Sequence, residues 1–526
     1  MLKELTAARK NQTRMTSDRD RISPRTRAWL LAIIAAASGL VYWLLVSVAL
    51  NPKLSLIYDV KGARYGGPIT WPARWLHLAS ITPLTRTWLF TFMIAGVVLL
   101  WLAAIYLVRR DNRKALTAII LVGFGLFAAM FLFTPLFQSK DIFSYIFHGR
   151  AMSVYHSNPY LLIPHARPHD VVYPLVGWKF NASVYGPVFN YFSWIITKVA
   201  GNNIVSNIFG FKFVAFLGYA ACLPMIYWLT RRISPGKENM ALAISAWCPI
   251  LVMHVLGGGH NDALMAAFVI GGFLLYRKGY LLTGIAVVTC GAMIKIVGVL
   301  ALVPMLVLYV RDKRGAPLKR LVAGGATAIG VVVLLYLPFL QSLKIFNSTS
   351  HMTKLYSASA IPRLFSAFYE GVLTRGGMSL VHATTVAEGR VHLVFLGIAV
   401  VIGILLLLRV KDYYSMVLCA AALSLVFCFT STYILPWYLV LGLLLASMTG
   451  WNITTGVLVG SAAVFSLFRI PGPASESPNL YTALPFLLLF IGWILLNAAV
   501  ELRKARSGKA TAVPVLEPLE RTIVED

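Results

Sequence analysis

From Trp29 to Leu50 the chain runs for 22 residues without a charged side chain, and it does so again over 87–108 and 115–136. Runs of this length match the ~20 residues that a helix needs to cross a bilayer. No water is present there to satisfy backbone amides and carbonyls, so the segment must bond to itself. A 526-residue chain that is 58% hydrophobic and keeps producing such runs exceeds what a soluble core requires. The expected fold is all-α: a polytopic integral membrane protein of about 14 transmembrane helices, with short broken helices and long external loops.

Charge orients these helices. Lys and Arg number 47 against 19 Asp and Glu, a net charge of +28. Much of that excess sits in short clusters between apolar runs, where it follows the positive-inside rule, so nucleic acid is not an expected partner. Residues 1–27 form a basic cytoplasmic tail before an uncleaved anchor. RRDNRK (109–114), RRISPGK (231–237), YRKG (276–279), RDKR (311–314) and LRVK (408–411) mark inner turns, and 502–526 is a second cytoplasmic tail. The membrane domain then covers 28–501, with external loops at 51–86, 137–187 and 340–390. Segment 188–199 is expected not to cross, because a crossing there would put RRISPGK outside. Segments 263–276, 280–293 and 296–310 fall short of a full crossing, and short helices meeting in pairs imply a recess. Cys222, Cys248, Cys290, Cys419 and Cys428 all lie in apolar runs, with no disulfide framework or metal-ligand spacing.

The stretch 137–187 is too polar to be mere connection. At helical period Asp141, Ser144, Tyr145 and His148 share one face, with Ile142, Phe143, Ile146 and Phe147 opposite, the pattern of a helix lying in a membrane surface. Pro159, Pro164, Pro168, Pro174 and Pro187 stiffen the loop that follows. Asp141 is then either a helix cap, a partner for Arg150, or a functional acid at membrane depth. Further on, His260, Asn261 and Asp262 form a polar turn that serves as a helix cap alone or also touches substrate. Lys295, set among Ala292, Met293, Ile294, Ile296 and Val297, must snorkel, pair with an acid or meet an anionic ligand. Aromatics of the external loop, Tyr145, Tyr155, Tyr160, Tyr173, Trp178 and Tyr185, suit either an interfacial belt or the stacking of sugar faces.

The order KDIFSYIFHGRA, NPY, YGP, GHNDAL and GAMIKIVGVLALVP resembles polyprenyl-phosphate-sugar-dependent glycosyltransferases of the GT-C superfamily, most closely bacterial polyprenol-phosphomannose-dependent α-mannosyltransferases. The resemblance covers roughly 115–340 in motifs and the remainder only in hydropathy. It implies that Asp141 is the base, that Lys295 holds the lipid phosphate, and that Gly259 to Asp262 lie near the same cavity. Arg150, Tyr145, His148, Asn158, Tyr160, Tyr185, His260, Asn261 and Asp262 are the further substrate-binding candidates. The partners implied are a polyprenyl-phosphate sugar donor, a glycan or glycolipid acceptor, and membrane lipid. Some members of the superfamily use paired acids with a divalent metal. Here the DxD-type pair is Asp18 and Asp20, in the cytoplasmic tail, so no essential metal and no cofactor is expected. Two spans precede the helix pair that flanks this loop, where many relatives have one.

Those residue types suit the reaction independently. A sugar on a lipid phosphate is already activated, so the protein must supply a base for the acceptor hydroxyl, cations for the departing phosphate and a groove for the isoprenoid tail. The competing classes are a transporter or flippase of a polyprenyl-linked lipid, with Lys295 and Asp262 as coupling charges, and a lipid-binding assembly subunit without catalysis. A transporter predicts inverted repeats and acids near the bilayer centre. Neither is present in the sequence.

Overall fold

The computed structural model describes residues 22–49, 57–58, 70–77, 82–137, 139–312, 316–346, 356–357, 359–468 and 480–506. Most of the two expected tails, with Asp18 and Asp20, more than half of the loop 51–86, and residues 347–355 and 358 of the loop 340–390 lie outside the described residues. Among the described residues the regular structure is helical apart from one antiparallel pairing, β1 (Ile57–Tyr58) with β2 (Leu136–Phe137), in which Ile57 faces Phe137.

In order, the helices are α1 (Pro24–Ala49), α2 (Trp71–Trp75), α3 (Pro83–Val108), α4 (Lys114–Leu132), α5 (Asp141–Ser153), α6 (Pro187–Ala200), α7 (Ile204–Ile233), α8 (Glu238–Ala246) and α9 (Asp262–Arg277). They continue with α10 (Leu281–Ala292), α11 (Val299–Arg311), α12 (Pro317–Tyr336), α13 (Ile361–Arg375), α14 (Leu380–Leu408), α15 (Tyr413–Thr430), α16 (Leu439–Ser447), α17 (Ile453–Phe468) and α18 (Leu480–Arg506). Among the described residues, eight helices are long and apolar enough to cross a membrane. The pair formed by α8 and the π-helical Leu251–Gly257 would make a ninth, bent by 55°. Pro249 sits at that bend, where it can neither donate a hydrogen bond nor clear the preceding carbonyl.

Local chemistry explains several junctions. At the basic turn between α3 and α4, Asp111 accepts from Arg27 Nη1 at 2.8 Å and from the Arg113 guanidinium, which ties the start of α1 to that turn. Those hydrogen bonds, Arg113 foremost, hold the Asp111 carboxyl well below its usual range. At the other end of α4, buried Lys212 of α7 donates to the carbonyls of Phe131 and Thr134, the helix's unsatisfied C-terminal acceptors. Two helix bounds differ from expectation. The apolar run that ends at Ser447 is α-helical only from Leu439, after a 3-10 turn at Pro436–Tyr438, because Pro436 and the polar Thr430–Tyr433 run break it. Helix α14 begins at Leu380 and so takes in the last eleven residues of the stretch 340–390 expected as a loop.

Helix α5 corrects a second expectation. It does not lie in a membrane surface with one face in lipid, because every residue from Ile142 to Ala151 is buried. Ile142 lies against the Gly259 turn before α9, and Tyr145 meets Phe189 of α6 and Phe211 of α7, so the helix is surrounded by protein rather than lipid. The Cβ of any residue at Gly149 would stand 2.3 Å from the Ser193 carbonyl oxygen, so glycine is what lets α5 and α6 cross this closely.

Candidate functional site: a cavity between the acidic helix and the last apolar helices

The motifs meet through backbone. Gly186 of YGP donates to the Ile294 carbonyl at 3.2 Å and Val188 donates to that of Met293 at 3.1 Å. A Cβ at Gly186 would sit 2.0 Å from the Met293 oxygen, so only glycine allows the end of the polar loop to lie against the strand-like segment carrying Lys295. Gly259 of GHND has φ +66, and a Cβ there would press on Ile142 Cδ1 at 2.9 Å. That left-handed turn brings His260 beneath α5.

Asp141 is the first residue of α5, and its side chain is 20% exposed. Its backbone N–H donates to Ser139 Oγ at 3.2 Å, and its carboxylate lies 3.9 Å from His260 Nδ1. His260 stacks on Trp437 with centroids 3.7 Å apart and lies 3.4 Å from the Tyr145 hydroxyl. Tyr145 in turn meets Tyr185 and Phe189 edge-on, each at 4.9 Å. Burial, and then the Asp141 charge, push the Tyr185 hydroxyl well above its usual range, so that phenol is a neutral hydrogen-bonding group. Burial pushes the His148 imidazole down to about 3, which leaves it neutral too. The Ser144 Oγ and His148 Nδ1 have no hydrogen-bond partner among the described residues.

Of the three possibilities open for Lys295, pairing with an acid is realised. Its Nζ donates to Asp262 Oδ1 at 2.7 Å and stands 4.6 Å from the centre of the Tyr438 ring. Asn261, the N-cap of α9, makes no side-chain cap bond, and the carboxylate of Asp262, the first residue of that helix, accepts from the lysine. The second oxygen of Asp262 and both polar atoms of Asn261 are buried without a hydrogen-bond partner among the described residues.

A cavity of about 430 Å³ collects these groups. Asp141, Ser144 and His148 form one wall, Trp178, Asn181 and Tyr185 of the loop another, and Lys295 and Tyr438 a third. The candidates Asp141, His148, Tyr185 and Lys295 therefore share one space. Tyr145, His260, Asn261 and Asp262 stand behind its wall. Arg150, Asn158 and Tyr160 do not line it. Arg150 turns away to clasp Asp170 with Nε at 2.9 and 3.1 Å, and its Nη1 reaches Asn202 at 2.8 Å, so its charge is spent inside the loop. Asp141 is accordingly not its partner. Asn158 donates to the Phe339 carbonyl at 2.9 Å and Tyr160 to that of Tyr185 at 2.9 Å, so both hold the loop's shape. Sequence reasoning missed His392, Thr430–Tyr433, Trp437 and Tyr438, all at the cavity. The signal was the polar and aromatic run TSTYILPWY (430–438) between two apolar segments.

Residues 61–311 match the family model described as "Alpha-(1->6)-mannopyranosyltransferase, N-terminal domain". The chain is similar to alpha-(1->6)-mannopyranosyltransferase A of Mycobacterium tuberculosis, at 29% identity over 40% of this chain and 41% of that protein. It is likewise similar to alpha-(1->6)-mannopyranosyltransferases A and B of Corynebacterium glutamicum. There the identity is 27% over 32% of this chain and 35% of that protein, and 24% over 40% and 38%. The matched part thus spans about two fifths or less of the length of these curated relatives. Every motif from KDIFSY to AMIKIVG falls inside residues 61–311, and over that segment, just under half of its length, this chain is similar to the bacterial alpha-(1->6)-mannopyranosyltransferases.

Proposed function

We propose that this protein transfers mannose from a polyprenyl-phosphate donor to a glycan or glycolipid acceptor on the external face of the membrane, with inversion at the anomeric carbon. One observation carries the reading: a single cavity is lined by a carboxylate, Asp141, and by a lysine, Lys295, and is polar at one end and apolar at the other. In the proposed reaction the acceptor hydroxyl attacks the anomeric carbon while Asp141 takes its proton. The carbon–oxygen bond to the lipid phosphate breaks with its electron pair, and Lys295 stabilises the charge that develops on the leaving phosphate. One carboxylate suffices and no covalent sugar intermediate forms, so a β-linked donor yields an α-linked product. Trp178 and Tyr185 offer ring faces to sugar, and Ser144 and His148 offer neutral hydrogen-bonding atoms.

The test is incubation of membranes containing the protein with radiolabelled polyprenyl-phosphate mannose, followed by identification and linkage analysis of the labelled product. The expected product is α-linked. Asp141→Asn keeps size and most hydrogen bonding yet removes basicity, so donor binding should persist while transfer falls by ~10² to 10⁴. A β-linked product, or transfer by Asp141→Asn at the parent rate, overturns the assignment.

A further inference from the structure

The sequence points to a recess among the short helices of 263–310, but only one edge of the cavity's apolar part is built there. Its floor descends along α14 through His392, Leu396 and Ala399, spaced as one helical stripe, and along α15 through Leu423, Val426 and Phe427. Ile296, Val297 and Leu300, at the start of α11, form the other edge. Leu396 is 50% exposed and Ile296 60% exposed although both line the cavity, so the space opens sideways between them to the surroundings of the helices. At its far end the gap is closed: Arg311 Nη1, at the opposite end of α11, donates to the Leu407 and Leu408 carbonyls at the end of α14, at 3.3 and 3.2 Å. The opening is therefore a wedge between α11 and α14 with α15 as its back wall. Its polar end holds Lys295 and His392, on opposite edges.

We propose that the isoprenoid tail of the donor enters through this lateral gap between α11 and α14, and that His392 contacts the lipid phosphate from the side opposite Lys295. The inference rests on the proposed use of a polyprenyl-phosphate donor and assigns its path. An anionic head joined to a long apolar chain matches the gap in both chemistry and order. Lys295 and His392 stand at the polar end, and beyond them the walls carry only Leu, Val, Ala, Ile and Phe. Residues 392–438, which supply half of this wall, lie beyond the segment shared with the mannopyranosyltransferase family.

The test uses the full chain in membranes and a polyprenyl phosphate that carries a photoreactive group on its tail and no sugar. Label should map to α11, α14 and α15 at the gap. Ala399→Trp, which fills the gap, and Leu300→Trp, on its other edge, should each reduce labelling about tenfold or more. Val400→Trp, one residue on and 52% exposed, should leave it unchanged. In transfer assays the gap variants should raise KM for a full-length donor while sparing a two-isoprene analogue. His392→Ala should raise KM for both, with partial rescue by His392→Gln. Label on α9 and α10 instead, or equal effects of Ala399→Trp on long and short donors, overturns the path. Intact labelling at the gap without any mannose transfer would support the path and refute the proposed function alone.

Discussion

The pair of Lys295 and Asp262 offers the sharpest separation of a structural from a chemical role. The two side chains meet at 2.7 Å and are 13% and 3% exposed. Removing the lysine strands a carboxylate whose second oxygen already has no hydrogen-bond partner among the described residues. Breaking a buried pair in this way costs about 3–5 kcal/mol, and the partial exposure of Lys295 places Lys295→Met near the lower figure. Asp262→Asn keeps an oxygen for the lysine and strands a cation with some access to solvent, so its cost is about 1–2 kcal/mol. The double variant Lys295→Met/Asp262→Asn removes both charges and should return to within about 1 kcal/mol of the parent. Kinetics should follow a different order. Loss of a charged hydrogen bond to phosphate, ~1.5–3 kcal/mol, lowers kcat/KM roughly 10- to 150-fold. Lys295→Met and the double variant should both show that loss, whereas Asp262→Asn, with the lysine still present, should keep donor affinity. Unfolding in detergent, read beside donor KM, measures both quantities on the same preparations. If the double variant regains donor affinity together with stability, the lysine serves only to neutralise Asp262 and the phosphate role is refuted.

Arg150→Met should destabilise the protein by roughly 3–5 kcal/mol, because Asp170 is left fully buried with its charge, yet leave donor KM unchanged in the folded fraction. An altered KM with unaltered stability would return Arg150 to the substrate. The His148 imidazole titrates near 3 when folded against 6.5 in an ordinary setting, so between those values the unfolded chain binds a proton that the folded one does not. Its contribution to stability is therefore complete above about pH 6.5 and is lost as pH falls toward 3, and His148→Gln should flatten that part of a melting-against-pH curve. A slope unchanged by the substitution would exclude His148 as its source. For topology, single cysteines replacing Ser157 and Ser379 in a cysteine-free background should react with an impermeant thiol reagent from outside, and one replacing Ser507 should not. The reverse pattern would invert the proposed orientation.

Much of the frame was legible locally. A helix satisfies its backbone within its own segment, so the apolar runs at 28–50, 87–108 and 115–136 announce α1, α3 and α4 without reference to anything distant. Pro187 and Gly186 mark the start of α6 for the same reason. The face shared by Asp141, Ser144 and His148 also follows from helical period, and all three line one wall of the cavity. The burial of the opposite face did not follow, because periodicity distinguishes polar from apolar but not lipid from protein.

Pairing lay beyond the sequence. Lys295 and Arg150 are both cations in the motif-bearing half of the chain, and local composition treats them alike. Lys295 meets Asp262, 33 residues earlier, and remains at the cavity, while Arg150 meets Asp170, 20 residues later, and is buried in the loop. His392 and the Thr430–Tyr438 run reach the cavity across more than two hundred residues from Asp141, on helices that read as ordinary apolar segments. The sequence by itself determined that this chain is a bundle of membrane helices interrupted by a polar, aromatic loop, since hydrophobic length and backbone bonding act within a segment. Only the tertiary structure decided which acid keeps which cation and which helices wall the cavity, because charge pairing and burial depend on distances that the packing of remote helices sets.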